Sequence, residues 1–295
     1  MRSFIPQFSS YVDDSFLNDM LPHTNWIGFN YFDLLHNRIF PKVKKHGIRD
    51  VYNISDKKKI FLSTTEKDEL LINYYNNQNG LNDFILNVEE LDADLVMGPD
   101  WFVYEKMGIQ EKTRHITKAS LMNQKCLSCD KIIPNIHGTN IHELSEFIKP
   151  FKELGSDLFV LPGREYFRRK GDVKNSQKQF YGFTSYLKRI EEVELLVTGI
   201  SSPRVHRYLS DVKYFVGQGW DIQAAFRQII DDLTFKKIVN GLELDQNIVE
   251  NVSLNELLDE EYDSLRALYN LIKINEKINE TRILKQKILG EYFGS

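Results

Sequence analysis

Apolar residues in the middle of the chain alternate between short continuous runs and helical spacing. The run from Ile132 to Ile136 stops at His137, and from Ile141 to Leu154 apolar residues recur every three or four positions. That recurrence is typical of a helix with one buried face. Gly155 then breaks the pattern, and Leu158 to Leu161 form the next apolar run. The segment is therefore predicted to be a strand, a helix and a strand.

The same rhythm continues on both sides of this unit. Further short apolar runs that predict strands are Trp26 to Phe32, Lys59 to Leu62, Leu95 to Met97, Val193 to Ile200 and Val212 to Val216. Strands that alternate with helices indicate a parallel sheet. A (β/α)8 barrel takes roughly 250 residues. We predict an α/β fold in which residues 1–240 form a TIM-like (β/α)8 barrel.

The C-terminal part of the chain has a helical pattern. Apolar residues at mixed spacings of three and four predict helices over Ile222 to Val239 and Ser253 to Tyr292. Residues 241–295 are therefore expected to form a helical extension packed on the barrel. Such an extension can lie under the barrel, form a homodimer face or contact DNA, and its balanced charge does not choose among these roles.

Polar residues follow the predicted strands, where parallel barrels place their active sites. Asp100, His137, Arg164 and Gln218 each lie at or just past a strand end, and Trp101 follows Asp100 directly. A carboxylate beside aromatic rings suits a nucleobase, which offers N–H donors on its edge and a π-face for stacking. The alternative is a helix-capping aspartate beside core aromatics.

One segment, Arg164 to Phe183, combines cations with aromatic residues. It is interpreted as a loop over the pocket that contacts phosphates and offers stacking surfaces, the alternative being an ordinary solvated loop. Its aromatic residues are Tyr166, Phe167, Phe180 and Tyr181. Arg204 and Arg207 lie on a predicted short helix, where they either bind phosphates or are exposed to solvent. The predicted nucleic-acid contacts are Arg168, Arg169, Lys170, Lys174, Arg204 and Arg207.

Composition and charge say more about where the protein is located than about its function. The chain has 295 residues, 42% of them hydrophobic, and a formal net charge of -4, so it is not a polycation throughout. No apolar stretch approaches the roughly 20 residues that span a bilayer. Its first residues lack the charged and apolar regions of a signal peptide. We expect a cytoplasmic protein without a membrane partner.

The two cysteines raise the question of a metal site. Cys126, Cys129, His137 and His142 read as C-x2-C-x7-H-x4-H, which invites a zinc interpretation. The spacing is too short for the usual finger, and His137 is expected at a strand end. We therefore predict two reduced cysteines packed between helix and barrel, with no metal and no cofactor.

The order of these motifs resembles the tRNA-guanine transglycosylases and their relatives that exchange guanine for deazaguanines in phage and bacterial DNA. DADLVMGPD is similar to the family strand that carries a base-recognising aspartate, at Asp100 here. His137-Gly138 stands where the family has Gln-Gly, Pro162-Gly163 where it has Gly-Gly, and DVKYFV matches its final strand. The resemblance covers roughly residues 85–225. It implies a barrel that binds a nucleobase.

Departures from the family shift the expected chemistry. The position of the family's covalent nucleophile is Val216, and Ser63 to Thr65 stand without glycines where the family has Asp-Ser-Gly-Gly-Phe-Gln. Base exchange needs a carboxylate that holds the sugar. Without it, hydrolytic excision is favoured, with Asp100 or Asp221 as the catalytic carboxylate.

We therefore predict a DNA glycosylase that flips and removes a modified base, as in phage defence. The alternatives are a transglycosylase that inserts a 7-deazaguanine into DNA or tRNA, and a barrel that binds nucleic acid without catalysis. The predicted base-binding residues are Trp101, His137, Gly138, Gly163, Arg164, Gln218 and Trp220.

Overall fold

A computed structural model describes residues 2–163, 173–199, 211–217, 228–231, 234–237, 265–276 and 278. Its strands are β1 (Ser3–Pro6), β2 (Trp26–Asn30), β3 (Lys59–Ser63), β4 (Leu95–Met97), β5 (Ile132–Ile133), β6 (Leu158–Pro162), β7 (Glu194–Thr198), β8 (Tyr214–Gly217), β9 (Gln228–Asp231) and β10 (Thr234–Lys237). Its helices are α1 (Asp14–Met20), α2 (Tyr31–His36), α3 (Phe40–Val51), α4 (Asp68–Asn76), α5 (Gly80–Glu90), α6 (Ile109–Cys126), α7 (Ile141–Glu153) and α8 (Val173–Arg189), with a 3-10 turn at Leu21–His23. A C-terminal helix covers residues 265–276.

The first eight strands form two four-stranded parallel sheets. One sheet has the order β2-β3-β4-β5, and the other has the order β1-β8-β7-β6. Two isolated parallel bridges, Gln7 with Gly28 and Asn135 with Val160, join β1 to β2 and β5 to β6. The predicted α/β class with parallel strands is confirmed.

Alternation along each strand separates two apolar clusters, because successive side chains of a strand point to opposite faces. One face, for example Ile60 and Leu62 of β3, joins a large core that also contains the buried faces of the helices. The other face joins a small cluster to which both sheets contribute. This inner cluster consists of Ile5, Phe61, Met97, Ile133, Val160, Leu196 and Val216, one residue from each of seven strands.

Two predictions about secondary structure are wrong. Residues 228–231 and 234–237, expected to be helical, form the antiparallel hairpin β9-β10. Their β-branched and aromatic residues, such as Ile229, Ile230 and Phe235, suit strands, and a two-residue connection is typical of hairpins. The basic segment is also not a loop throughout, because α8 begins at Val173.

Because α8 begins at Val173, the aromatic residues Phe180 and Phe183 lie on a helix and not on the predicted loop. Phe180 is fully buried in the large core with Phe183 and Leu187, at the helical spacing of three and four. The proposed stacking surface at Phe180 is therefore wrong. Lys174, predicted as a loop contact, lies on the first turn of this helix.

The C-terminal helix packs on the same large core as the strands. Ala267, Leu271, Ile274 and Ile278 all belong to that core. Asn275 Nδ2 also donates a hydrogen bond to the His23 carbonyl oxygen, at 3.3 Å. This helix lies within the predicted helical region, although the domain boundary at residue 240 stays a prediction. Among the described helices, none is both long and apolar enough to cross a membrane.

Candidate functional site

A layer of buried polar side chains lies at the carboxyl ends of the parallel strands. Four of its members each follow an inner-cluster residue by two positions, so they point to the same face of their strand. Asn30 joins them because it is paired with Ser63 across β2 and β3. This polar layer consists of Gln7, Asn30, Ser63, Asn135 and Thr198, all no more than 8% exposed.

The part of the layer on β1, β2 and β3 is a connected hydrogen-bond network. Asn30 Nδ2 donates to Ser63 Oγ at 3.3 Å and to the Thr65 carbonyl oxygen at 2.7 Å. Ser63 Oγ donates to Gln7 Oε1 at 3.1 Å. Asn30 Oδ1 accepts from the backbone N–H groups of Phe32 and Asp33, which caps α2. Polar side chains here therefore hold strand ends and a helix start together.

At the ends of β4 and β5, Asp100 and His137 join the layer beside Asn135, so a carboxylate, an amide and an imidazole lie together. Asn135 Nδ2 donates to Asp100 Oδ1 at 3.0 Å, and His137 Nε2 lies 3.9 Å from the same oxygen. All three side chains have zero exposure. Asn135 Oδ1 has no hydrogen-bond partner within the described part of the chain. An acceptor therefore remains available beside a carboxylate in a buried site.

Asn123 of α6 fixes the backbone on which these groups stand. Its Oδ1 accepts the Asn135 backbone N–H at 2.8 Å, and its Nδ2 donates to the Pro99 carbonyl oxygen at 3.1 Å. Gly98 leaves the room that this side chain needs. A Cβ there would collide with Asn123 Oδ1 and lie 3.0 Å from the Ile133 carbonyl oxygen. The helix thus sets the spacing between the ends of β4 and β5.

Three of the predicted site residues are brought together, and a fourth lies at a neighbouring strand end. Asp100 and His137 lie side by side as expected, with Gly138 next in the chain. Gly163 donates its N–H to the Thr198 carbonyl oxygen at 2.8 Å, which places it at the adjoining ends of β6 and β7. These positions agree with the strand-end prediction, while the roles assigned to them stay predictions.

Trp101 is packed in a way that does not favour base stacking. It is 3% exposed, and its ring stacks on Phe102 at a centroid distance of 5.2 Å. Lys118 Nζ lies 3.9 Å from the ring centroid, and the indole N–H donates to His115 Nδ1 at 3.1 Å. A nucleobase would have to displace this packing to reach the ring.

Of the remaining predicted site residues, Lys174 alone lies within the described part of the chain. Lys174 is described only as part of the backbone of α8. Arg164, Arg168, Arg169, Lys170, Arg204, Arg207, Gln218, Trp220 and Asp221 lie outside the described residues.

Burial raises the pKa values of two ionisable groups next to the site. It raises the pKa of the Tyr75 hydroxyl well above its usual range, and the nearby Cys126 and Asp100 add smaller effects in the same direction. Burial likewise raises the pKa of the Cys126 thiol to about 12. Both Cys126 and Cys129 are free and buried, which confirms the predicted packed thiols. In the described residues, no three His, Cys, Asp or Glu side chains are grouped as metal ligands.

Sequence reasoning missed most of the polar layer and its support. Gln7, Asn30, Asn135, Thr198 and Asn123 were not singled out. A signal for four of them was present, since each comes at or near the end of an apolar strand and in phase with its inward-facing residues. No such pattern marks Asn123, which looks like an ordinary polar residue in a helix.

No family model matches this chain, and no curated protein matches it significantly. The resemblance to the transglycosylases therefore rests on the quoted motifs alone.

Proposed function

We propose that this chain is a DNA glycosylase that excises a modified base at the Asp100 site. The observation that carries the proposal is the buried group of Asp100, Asn135 and His137 at the carboxyl ends of parallel strands. Parallel α/β barrels bind substrates at that end. A buried carboxylate among hydrogen-bonding side chains suits the polar edge of a flipped base.

The proposal includes closure of the two sheets into a (β/α)8 barrel. Two observations support closure: the bridges that join β1 to β2 and β5 to β6, and the inner cluster to which both sheets contribute. In such a barrel, side chains from the strands fill the interior and the polar layer forms its upper end.

Excision requires no covalent bond between protein and sugar. Water attacks C1′ as the C1′–N bond breaks, the electron pair of that bond leaves with the base, and the base takes up a proton. A carboxylate accepts the proton that water loses and stabilises positive charge at the sugar. The two candidates are Asp100 and Asp221. A carboxylate that holds the edge of the base cannot also reach the water at C1′, so with Asp100 on the base edge this role falls to Asp221.

The position that resembles the family's nucleophile supports excision over exchange. Val216 is 1% exposed and belongs to the inner cluster. An apolar side chain there cannot attack the sugar. Base exchange therefore lacks the covalent intermediate that holds the sugar between the two bases.

The proposed nucleic-acid contacts are six basic residues: Arg168, Arg169, Lys170, Lys174, Arg204 and Arg207. The described surface offers further cations along α6, where Arg114 and Lys125 line a groove of about 410 Å³ with Lys118 and Leu121. Lys118 already contacts Trp101 and hydrogen-bonds Asn76. Arg114 and Lys125 are therefore the better phosphate contacts of the three cations.

Abasic-site formation tests the proposal. Purified protein is incubated with modified and unmodified DNA, and we expect abasic sites only where the recognised modification is present. Incorporation of labelled 7-deazaguanine without abasic sites would instead indicate exchange. DNA binding with neither product would indicate a non-catalytic binding protein.

A further inference from the structure

We propose that Asn135 reads the edge of the bound base together with Asp100, and that Asn123 is the positioning residue that holds Asn135 in place. The inference rests on the proposed function and deepens it. It assigns the site a base edge with two adjacent N–H donors, such as a ring N–H beside an exocyclic amino group.

The hydrogen bond between Asn135 and Asp100 fixes the orientation of the amide. Nδ2 donates to Asp100 Oδ1 at 3.0 Å. With the amide turned over, Oδ1 would face the carboxylate, and two acceptors would lie at that distance without a proton between them. Asn135 Oδ1 is therefore the group left to meet a ligand.

An acceptor left unpaired in a buried site is costly, and most such groups in native proteins have a partner. Asn135 has zero exposure, and its Oδ1 has no hydrogen-bond partner among the residues that the structure describes. Its side chain points to the face of β5 that carries Ile133 and the inner cluster. The unpaired oxygen thus lies on the same side of the strand ends as the carboxylate.

Two neighbouring acceptors select a ligand with two neighbouring donors. An ionised carboxylate offers only acceptors, and Asn135 Oδ1 offers another. A base edge that presents a ring N–H and an amino group side by side satisfies both. An edge that lacks the amino group leaves Asn135 Oδ1 unpaired, and buried sites reject such analogues strongly.

Asn123 determines where Asn135 stands. It accepts the Asn135 N–H and donates to the Pro99 carbonyl oxygen, one residue before Asp100. Removing its side chain frees both strand ends while both recognition side chains remain. The expected effect is a loss of selectivity, since the two acceptors no longer keep a fixed separation.

Calorimetric titration with 9-methylguanine and 9-methylhypoxanthine tests the inference, because these probes differ only by the exocyclic amino group. We expect the wild-type protein to bind 9-methylguanine at least about 10-fold more tightly. In Asn135→Leu the ratio should fall to within about threefold, because the amide oxygen is gone. If that variant does not fold, Asn135→Ala gives the same test with a smaller side chain that also lacks an acceptor.

Asn87 provides a matched control for Asn123. Asn87 is also a buried asparagine with side-chain hydrogen bonds, to Tyr31 and Lys44, but neither partner belongs to the polar layer. Asn123→Ala should lose selectivity as well as stability, whereas Asn87→Ala should lose only stability. Equal selectivity in the two variants would reduce Asn123 to a structural role.

The outcomes separate the inference from the proposed function. Full selectivity in Asn135→Leu or Asn135→Ala overturns the inference and leaves base excision untouched. A wild-type protein that binds neither probe, or both equally, also overturns it. Base excision is then decided separately by abasic-site formation on DNA.

Discussion

Two parts of the same polar layer differ in how far their buried polar groups are hydrogen-bonded within the protein. On β1, β2 and β3, Gln7, Asn30 and Ser63 bond to one another and to backbone groups. On β4 and β5, Asp100 and Asn135 bond to each other, and the amide oxygen of Asn135 has no partner in the described part of the chain. The side chains of both parts are buried.

The difference shows that burial and polarity do not by themselves mark a binding site. A polar network whose hydrogen bonds are made within the protein stabilises the fold, and a ligand would have to break those bonds. A network that keeps a carboxylate and an unused acceptor has bonding capacity left for a ligand. We therefore expect mutations in the first part to lower stability and mutations in the second part to lower function.

The largest expected effect is on catalysis, from Asp100→Asn. Loss of one preorganised charge typically costs about 100-fold or more in rate. We expect that loss in single-turnover formation of abasic sites, with thermal unfolding and DNA affinity nearly unchanged. Asp130→Asn, which removes an exposed carboxylate, serves as the control. A fully active Asp100→Asn protein would remove Asp100 from the mechanism.

The next effect is on stability, from Asn30→Ala. The substitution removes the cap of α2 and the bonds to Ser63 and Thr65, so we expect a loss of about 2–3 kcal/mol in the free energy of unfolding. Denaturant titration measures the loss. Asn79→Ala is the control, because Asn79 precedes α5 without a capping side-chain bond. If Asn30→Ala instead lost base selectivity at wild-type stability, the contrast between the two parts would not hold.

A smaller effect is expected from Thr64→Val. Thr64 Oγ1 donates to the Gly98 carbonyl oxygen at 2.7 Å, which links the end of β3 to the end of β4. Valine has a similar shape and no hydroxyl, so the free energy of unfolding should fall by about 1 kcal/mol. Base selectivity should stay within the error of the wild-type value. Loss of selectivity in this variant would mean that the network also positions the Asp100 site.

Strand-helix alternation in the middle of the chain was predictable because its strands carry continuous apolar runs and the helix between them has a clear period. The run at Leu158 and the helical spacing from Ile141 both correspond to observed elements, β6 and α7. Asp100 and His137 follow their apolar runs within a few residues, so the sequence alone was enough to predict them at strand ends. Their contact depends on β4 and β5 being neighbours in the sheet, which parallel alternation also suggests.

The failures come from competing local preferences and from long-range packing. Residues 228–237 contain apolar residues at spacings that fit a helix, yet their β-branched residues pair as strands. The role of Asn123 depends on a contact with Asn135, twelve residues away, and on the space beside Gly98. A single sequence contains no periodic signal for either condition.

The two bridges between the sheets suggest how a substrate reaches a fully buried carboxylate. Neighbouring strands β6 and β7 pair over five residues, but β5 meets β6 through one isolated bridge, at Asn135 and Val160. Local opening costs least where few backbone bonds must break. We expect the amide of Ile136, which bonds to the Val160 carbonyl oxygen, to exchange with deuterium faster than the amides between β6 and β7. Under the proposed function, Asn135 then lies at a junction that opens more easily than the pairing of β6 with β7, and this opening gives the base a route to Asp100.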